Sequence, residues 1–386
     1  MSLLIAPLAL GLTVAWLELR HRLRPSSPLR MTPLDWRVND LGDRLQVEGL
    51  LEISNPHPRM EIFVPELRVE PVLLGRSDPS SLRISTRITA EHPDEPTRAD
   101  GYWAAYIVKG HKTTRARVTI EIEGASPLER IDSLWVDAHW VNYGPFGRLQ
   151  RRQGVLVPLK RPEPLNSQQA TFLKGDGCEV LALGTHLLGP LDDPIEVLRT
   201  YASDLLQPGD VLTIGETPVA VIQGRYRHPS EVHPGKVARL VCRVFHPTSS
   251  LATACGMQTL IDLVGPTRVI VAWLGGLLLK LVGLPGGFYR LAGDQARLID
   301  DITGTTPPYD QTIVLGPQHS EAFCRRAAAE LGVDVAIVDV NDLGRVKVLA
   351  SSPGCDEALL ETALKPNPAG NANQRTPLVL VRPVLR

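Results

Sequence analysis

Two acids in the second half of the chain stand where the backbone would hold a carboxylate firmly. Asp339 lies at the end of the apolar run Val333 to Val340 and is followed by Asn341, Gly344 and Arg345. A buried strand end positions a carboxylate rigidly without burying it fully. Asp339 therefore suits either a ligand to a hard cation or the cap of a turn. Asp294 follows Ala292-Gly293, where a glycine permits close approach to the backbone. Asp300 and Asp301 rank behind these two. A further apolar stretch ends in Gln223-Gly224-Arg225.

Other groupings carry less chemistry. His228 and His233 each precede a proline, and proline-broken loops lack the one-face spacing of helical histidine ligands. The five cysteines, Cys178, Cys242, Cys255, Cys324 and Cys355, are odd in number and form no C-x-x-C pair. They read as reduced thiols of a cytosolic compartment. No G-x-x-x-x-G-K-[ST] loop is present.

The elements that must position these residues follow from patterning. The 386 residues suit two to three domains, and 43% apolar content is enough to build cores. A formal net charge of −1 with no long basic stripe argues against a nucleic-acid partner. Residues 1–24 read as a membrane anchor. Leu3 to Leu19 is almost wholly apolar, and Arg20, Arg22 and Arg24 follow it. The positive-inside rule would then place the domains in the cytoplasm. A buried N-terminal helix is the alternative reading.

Residues 25–162 show seven short alternating runs separated by turn residues, which predicts an all-β, sandwich-like domain. Its tryptophans, Trp103, Trp135 and Trp140, read as core residues. Over a short stretch, LEISNPHPRMEIFVPELRV resembles the immunoglobulin-like domains of late-embryogenesis-abundant proteins. Residues 163–386 alternate strand and helix signals, as a mixed α/β (α+β) domain does. Expected elements are a strand at Cys178 to Leu183 and a helix at Pro194 to Leu206 capped by Asp193. A strand pair over Val211 to Arg225 and a helix at Gln318 to Leu331 follow. The stretch Arg268 to Tyr289 is nearly continuous apolar sequence around Lys280. It reads as a second membrane segment, as a buried or dimer-interface helix that leaves room for a homodimer, or as a helix in the membrane interface.

The ordered set LQPGDVLTI, VIQGR, Ala292-Gly293-Asp294 and Val338-Asp339-Val340-Asn341 resembles the coenzyme F420-0:L-glutamate ligases. The resemblance runs from about Gly177 to Pro353. It implies GTP-dependent activation of a small-molecule carboxylate acceptor as an acyl phosphate. The amine of L-glutamate then displaces phosphate and forms a γ-glutamyl amide. It further implies Mg²⁺ or Mn²⁺ held by Asp294 and Asp339. Arg225, Arg345 and Asn341 would serve the transferring phosphoryl group, and Gly224, Gly293 and Gly344 would lie against the nucleotide. The chain departs from the family where Ser, Lys and Glu are replaced by Ala220, Val221 and Gln223, and Thr by Val340. A non-catalytic, membrane-tethered binding protein on the ligase scaffold is the competing expectation.

Overall fold

The computed structural model describes residues 10–17, 27–302 apart from 76 and 99, 306–341, 344–370 and 374–384. The N-terminal helix α1 occupies residues 10–17. The rest of the expected anchor, 1–9 and 18–24, lies outside the described residues. No single helix among the described residues is long and apolar enough to cross a membrane. This overturns the expected N-terminal transmembrane helix. The eight described residues of α1 rise only about 12 Å, against a hydrocarbon core of roughly 30 Å.

Nine strands form the β domain: β1 (Arg30–Asp40), β2 (Arg44–Ser54), β3 (Ile62–Val64), β4 (Leu67–Leu74), β5 (Arg83–Glu91), β6 (Tyr106–Val108), β7 (Thr113–Glu123), β8 (Ser133–Gly144) and β9 (Gly147–Pro158). One helical turn, α2 (Pro127–Arg130), lies before β8. The first sheet runs β1-β2-β7-β5; the second runs β4-β8-β3-β6, with β9 on the other side of β8. Alternation decides which side chains meet between the sheets. Leu45, Val47, Leu51 and Ile53 of β2 and Ala116, Val118, Ile120 and Ile122 of β7 enter one core with Leu134, Val136 and Ala138 of β8. Trp103 joins that core and donates its indole N–H to Val64 O at 2.9 Å. Trp135 points the other way, toward the second domain.

The second domain is built on a six-stranded sheet in the order β10-β11-β18-β12-β16-β17. The strands are β10 (Leu173–Lys174), β11 (Cys178–Leu183), β12 (Val211–Gly215), β16 (Asp334–Val340), β17 (Val346–Ser351) and β18 (Leu378–Pro383). Among the described residues only β12 and β16 pair in parallel. Both faces are covered, so the strands read as continuous apolar runs. Leu181, Leu212, Ile214, Val335 and Ile337 pack on the side of α3 (Pro194–Ala202) and α9 (Ser320–Leu331). Val180, Val211, Ala336 and Val338 pack on the side of α10 (Glu357–Ala363). As expected, Asp193 caps α3, accepting from Ile195 N and Glu196 N at 2.9 and 3.0 Å.

One local expectation fails. The segment after β12 is not a second strand but α4 (Glu216–Ile222). Pro218 explains the difference: it cannot donate to a ladder, whereas in a first helical turn its missing N–H has no partner to lose. A small sheet of β13 (Tyr226–Arg227), β15 (Ile313–Val314) and β14 (Asp300–Asp301) follows. It borders a helical subdomain of α5 (Lys236–Val241), α6 (Ala254–Val264), α7 (Pro266–Leu281) and α8 (Gly287–Ala292). The two domains meet through Trp135 and Leu156 on one side and Tyr226 and Tyr309 on the other. Tyr226 donates to Gly154 O at 2.7 Å, and Arg152 reaches His228 Nε2 at 2.8 Å.

Candidate functional site

A cavity of about 610 Å³ opens at the carboxyl ends of the parallel strands β12 and β16. Crevices at such strand ends are where open sheets of this kind bind ligands. Its lining includes Glu216, Asp300 and Asp339. Topology explains why these three acids share a cavity. The parallel register pairs Gly215 with Val338, so the next residues, Glu216 and Asp339, emerge side by side. Lys347 is the cross-strand partner of Asp339 on β17. Asp300 arrives from β14 in the small sheet.

Glu216 and Asp300 are partly withdrawn from water, whereas Asp339 is exposed. Burial pushes the Glu216 carboxyl up to about 8, and the charge on Asp339 adds to the rise. The field of Lys347 opposes it, and Asp300 adds a smaller push upward. Asp300 is likewise raised, first by burial and then by Asp339 and Asp301, against a hydrogen bond from Ser250. Asp301 is raised by burial against a hydrogen bond from Thr253, and its Oδ1 is buried without a hydrogen-bond partner. Perturbed acids in a cleft make it a candidate functional site.

The remaining wall comes from two loops. Thr185 and His186 follow β11; His186 is held by Tyr201 Oη at 2.7 Å and Asp192 Oδ1 at 2.9 Å. Asn367, Pro368, Ala369, Gly370 and Arg375 complete the lining, and Arg375 O accepts from Thr185 N at 2.9 Å. Asn367 and Arg375 both hold left-handed backbone, each with φ 51°. Such conformations in non-glycine residues persist only where the surroundings enforce them, and they cluster at ligand sites.

Of the eight site residues expected from the sequence, Asp339 is the one that lines this cavity. Asp294 is exposed at the start of a short 3-10 helix after Gly293, whose φ is 102°. Arg225 is spent on structure: its guanidinium donates to Gly316 O at 2.5 Å and Gln295 Oε1 at 3.0 Å, and Gly224 precedes it at φ 65°. Asn341 closes the β16–β17 turn, its Oδ1 accepting from Arg345 N at 3.0 Å and its carbonyl from Gly344 N at 3.0 Å. Glu216 had not been singled out in the sequence. Its signal was the sequence Gly-Glu-Thr-Pro directly after an apolar strand, which reads as a strand end turning into a helix.

The donor set is one of hard oxygens, as Mg²⁺ and Mn²⁺ require. Among the described residues no three His, Cys, Asp or Glu side chains already stand close enough to hold one ion. Mg²⁺ typically takes one or two carboxylates and completes its shell with water and phosphate oxygens, so Glu216 and Asp339 fit that role.

Comparison with known proteins bears on the β domain. Residues 30–161 match the family model described as F420-0:gamma-glutamyl ligase, N-terminal Ig-like domain. This relates the β domain to an accessory domain of those ligases. No curated protein matches the sequence. Among solved structures, the chain is similar to the GAE domain of GGA2p from Saccharomyces cerevisiae at 9% identity and a TM-score of 0.22. That match covers 36% of this chain and 96% of that one. A FixG-related protein from Vibrio parahaemolyticus is similar at 11% identity and a TM-score of 0.20, covering 34% and 97%. Scores this low carry no argument about fold or function.

Proposed function

We propose that the protein is a nucleotide- and divalent-metal-dependent carboxylate–amine ligase of the γ-glutamyl type, with F420-0 and L-glutamate as the first substrates to test. The observation that carries the reading is the meeting of Glu216, Asp300 and Asp339 in one cavity at the ends of β12 and β16. The match of the β domain to a domain of such ligases supports it.

Glu216 and Asp339 would hold the cation, which when bound neutralises phosphate charge. A nucleoside triphosphate, GTP in the family resembled, gives its γ-phosphoryl group to the acceptor carboxylate. An acyl phosphate and the diphosphate result. The glutamate amine then attacks the acyl carbon, phosphate leaves, and the amine loses a proton. Asp300, which lines the same cavity and whose carboxyl burial raises, suits that proton. Lys347, opposite Asp339, places positive charge beside the acids. The Asn367–Gly370 loop, which lines the cavity, would border the substrate.

A second reading, a binding protein without turnover, is favoured by one feature. Ala220 and Val221, where the ligases resembled carry Ser and Lys, are buried in the seam between the domains. The assay is phosphate release from GTP or ATP that requires both acceptor and amino acid. Thermal stabilisation by GTP with Mn²⁺ but no such release would favour the second reading. The absence of both would dismiss ligase and nucleotide binding together.

A further inference from the structure

We propose that α7, with the outer side of α5, docks on a lipid bilayer bearing anionic headgroups, α7 lying flat at the boundary between headgroups and acyl chains. The helix turns a row of aliphatic side chains outward. Leu274, Leu277, Leu278 and Leu281 recur at three- and four-residue spacing, and Val282 and Leu284 extend the row into the following turn. Leu278 is 64% exposed, Leu281 76% and Val282 71%. Only Val269 and Ala272 of the helix are fully buried. The opposite side is fixed by α8: a Cβ on Gly276 would lie 2.6 Å from Phe288 N, so the close packing there needs glycine. α5 packs beside α7, and Leu240 and Val244 add to the apolar surface at 54% and 56% exposure.

Charge selects the occupant. Residues 232–299 contain seven Lys and Arg and two acids, a formal charge of +5 in a chain whose total is −1. One of those acids, Asp262, is already paired with Arg227 at 2.7 Å. Lys236 and Arg239 of α5, Arg243 just after it and Lys280 of α7 are exposed on the same elements. A second copy seated on this face would set like charge against like charge across a two-fold interface. The apolar run at the chain's own N-terminus ends in Arg20, Arg22 and Arg24 and would do the same. Phosphate headgroups match the sign, and acyl chains match the leucines. The geometry favours lying over crossing. α6 and α7 are bent 112° apart, and Gly283, Pro285 and Gly286 end the apolar stretch.

Hydrogen–deuterium exchange on the full chain tests this, using phosphatidylcholine vesicles with and without roughly 30% phosphatidylglycerol. Exchange should slow at residues 266–284 and 236–244 with the anionic vesicles, and the effect should fade at high salt. The double substitution Leu274→Glu and Leu278→Glu alters only exposed positions. It should lower vesicle affinity about 100-fold. Arg239→Glu with Arg243→Glu should lower it about tenfold or more on anionic vesicles. Vesicle binding that leaves exchange at 266–284 unchanged would place the contact elsewhere and overturn the proposal. Protection there that grows with protein concentration without vesicles would assign the face to a second copy and overturn it equally. So would a chain that binds no vesicles.

Discussion

Structural acids and the acids of the cavity are treated in opposite ways. In the β domain Asp137 is almost fully buried, and Arg152 answers it: the guanidinium Nε lies 2.9 Å from both carboxylate oxygens. The sheet of the second domain contains a similar pair, Asp210 with Arg382 at 2.9 and 2.8 Å. At the cavity the pattern changes. Glu216 and Asp300 lose hydration while what opposes the cost is the field of Lys347 and a single hydroxyl from Ser250. Structural acids are neutralised by arginine, whereas the cavity acids are left with capacity for a cation or a proton. That difference is what singles out the cavity as the candidate site.

The comparison breaks most sharply at Asp339. Asp339→Asn should cut metal-dependent nucleotide binding by on the order of 10²–10³-fold while far-ultraviolet circular dichroism and melting stay as in the parent. An unchanged metal titration would remove the cavity from the mechanism. The opposite response is expected from the sandwich. Leu51, fully buried between the sheets, should cost about 3 kcal/mol as Leu51→Ala with nucleotide affinity intact, read by urea unfolding beside a binding isotherm. Arg152→Ala strips Asp137 of its partner and also removes the contact with His228. A loss of about 2 kcal/mol is expected, smaller than for a wholly buried pair because the Arg152 side chain is 29% exposed. If the cavity depends on how the domains are seated, metal affinity falls with it.

A pH series sharpens the contrast further. The Glu216 carboxyl is raised in the fold, so its native form keeps a proton that the unfolded chain releases. Its contribution to stability is therefore full below about 4.5 and is lost as pH rises through about 8. Glu216→Gln should match the parent at low pH and be the more stable of the two above 8. A bound divalent cation favours the charged carboxylate, so metal affinity should climb between pH 6 and 9 with proton release measurable by calorimetry in two buffers. In Glu216→Gln that climb should flatten. The smallest effect is expected at Asp294, which is exposed and outside the cavity: Asp294→Asn should change metal affinity by less than about twofold, near the limit for a screened surface charge. A larger change would draw the 3-10 helix at Asp294 into the site.

Much of the architecture was legible from pattern. The alternation of β2 and β7 announces a face for each side chain because the strand period is two, and Asp193-Pro194 announces the start of α3 because a cap and a first-turn proline are local devices. The strand bearing Asp339 was legible for the same reason. The long apolar N-terminal run led to a membrane span that the described helices do not contain, since composition reports apolar character and says nothing of helix length or packing. The helix α4 was misread because Val219, Ala220, Val221 and Ile222 are apolar all round, and such a run carries no period.

What the sequence by itself determined is therefore which segments are strands buried on one or both faces, where α3 begins, and that one such strand ends in a carboxylate. The tertiary structure alone decided which carboxylates face one another. Asp294 and Asp339 look equivalent in the chain, yet only Asp339 reaches the cavity, and Glu216 joins it because a parallel pairing brings Gly215 beside Val338 across more than a hundred residues. Local propensity acts within a turn or two of the backbone, but register between distant strands is settled by the packing of the whole sheet, and the register is what places charge beside charge.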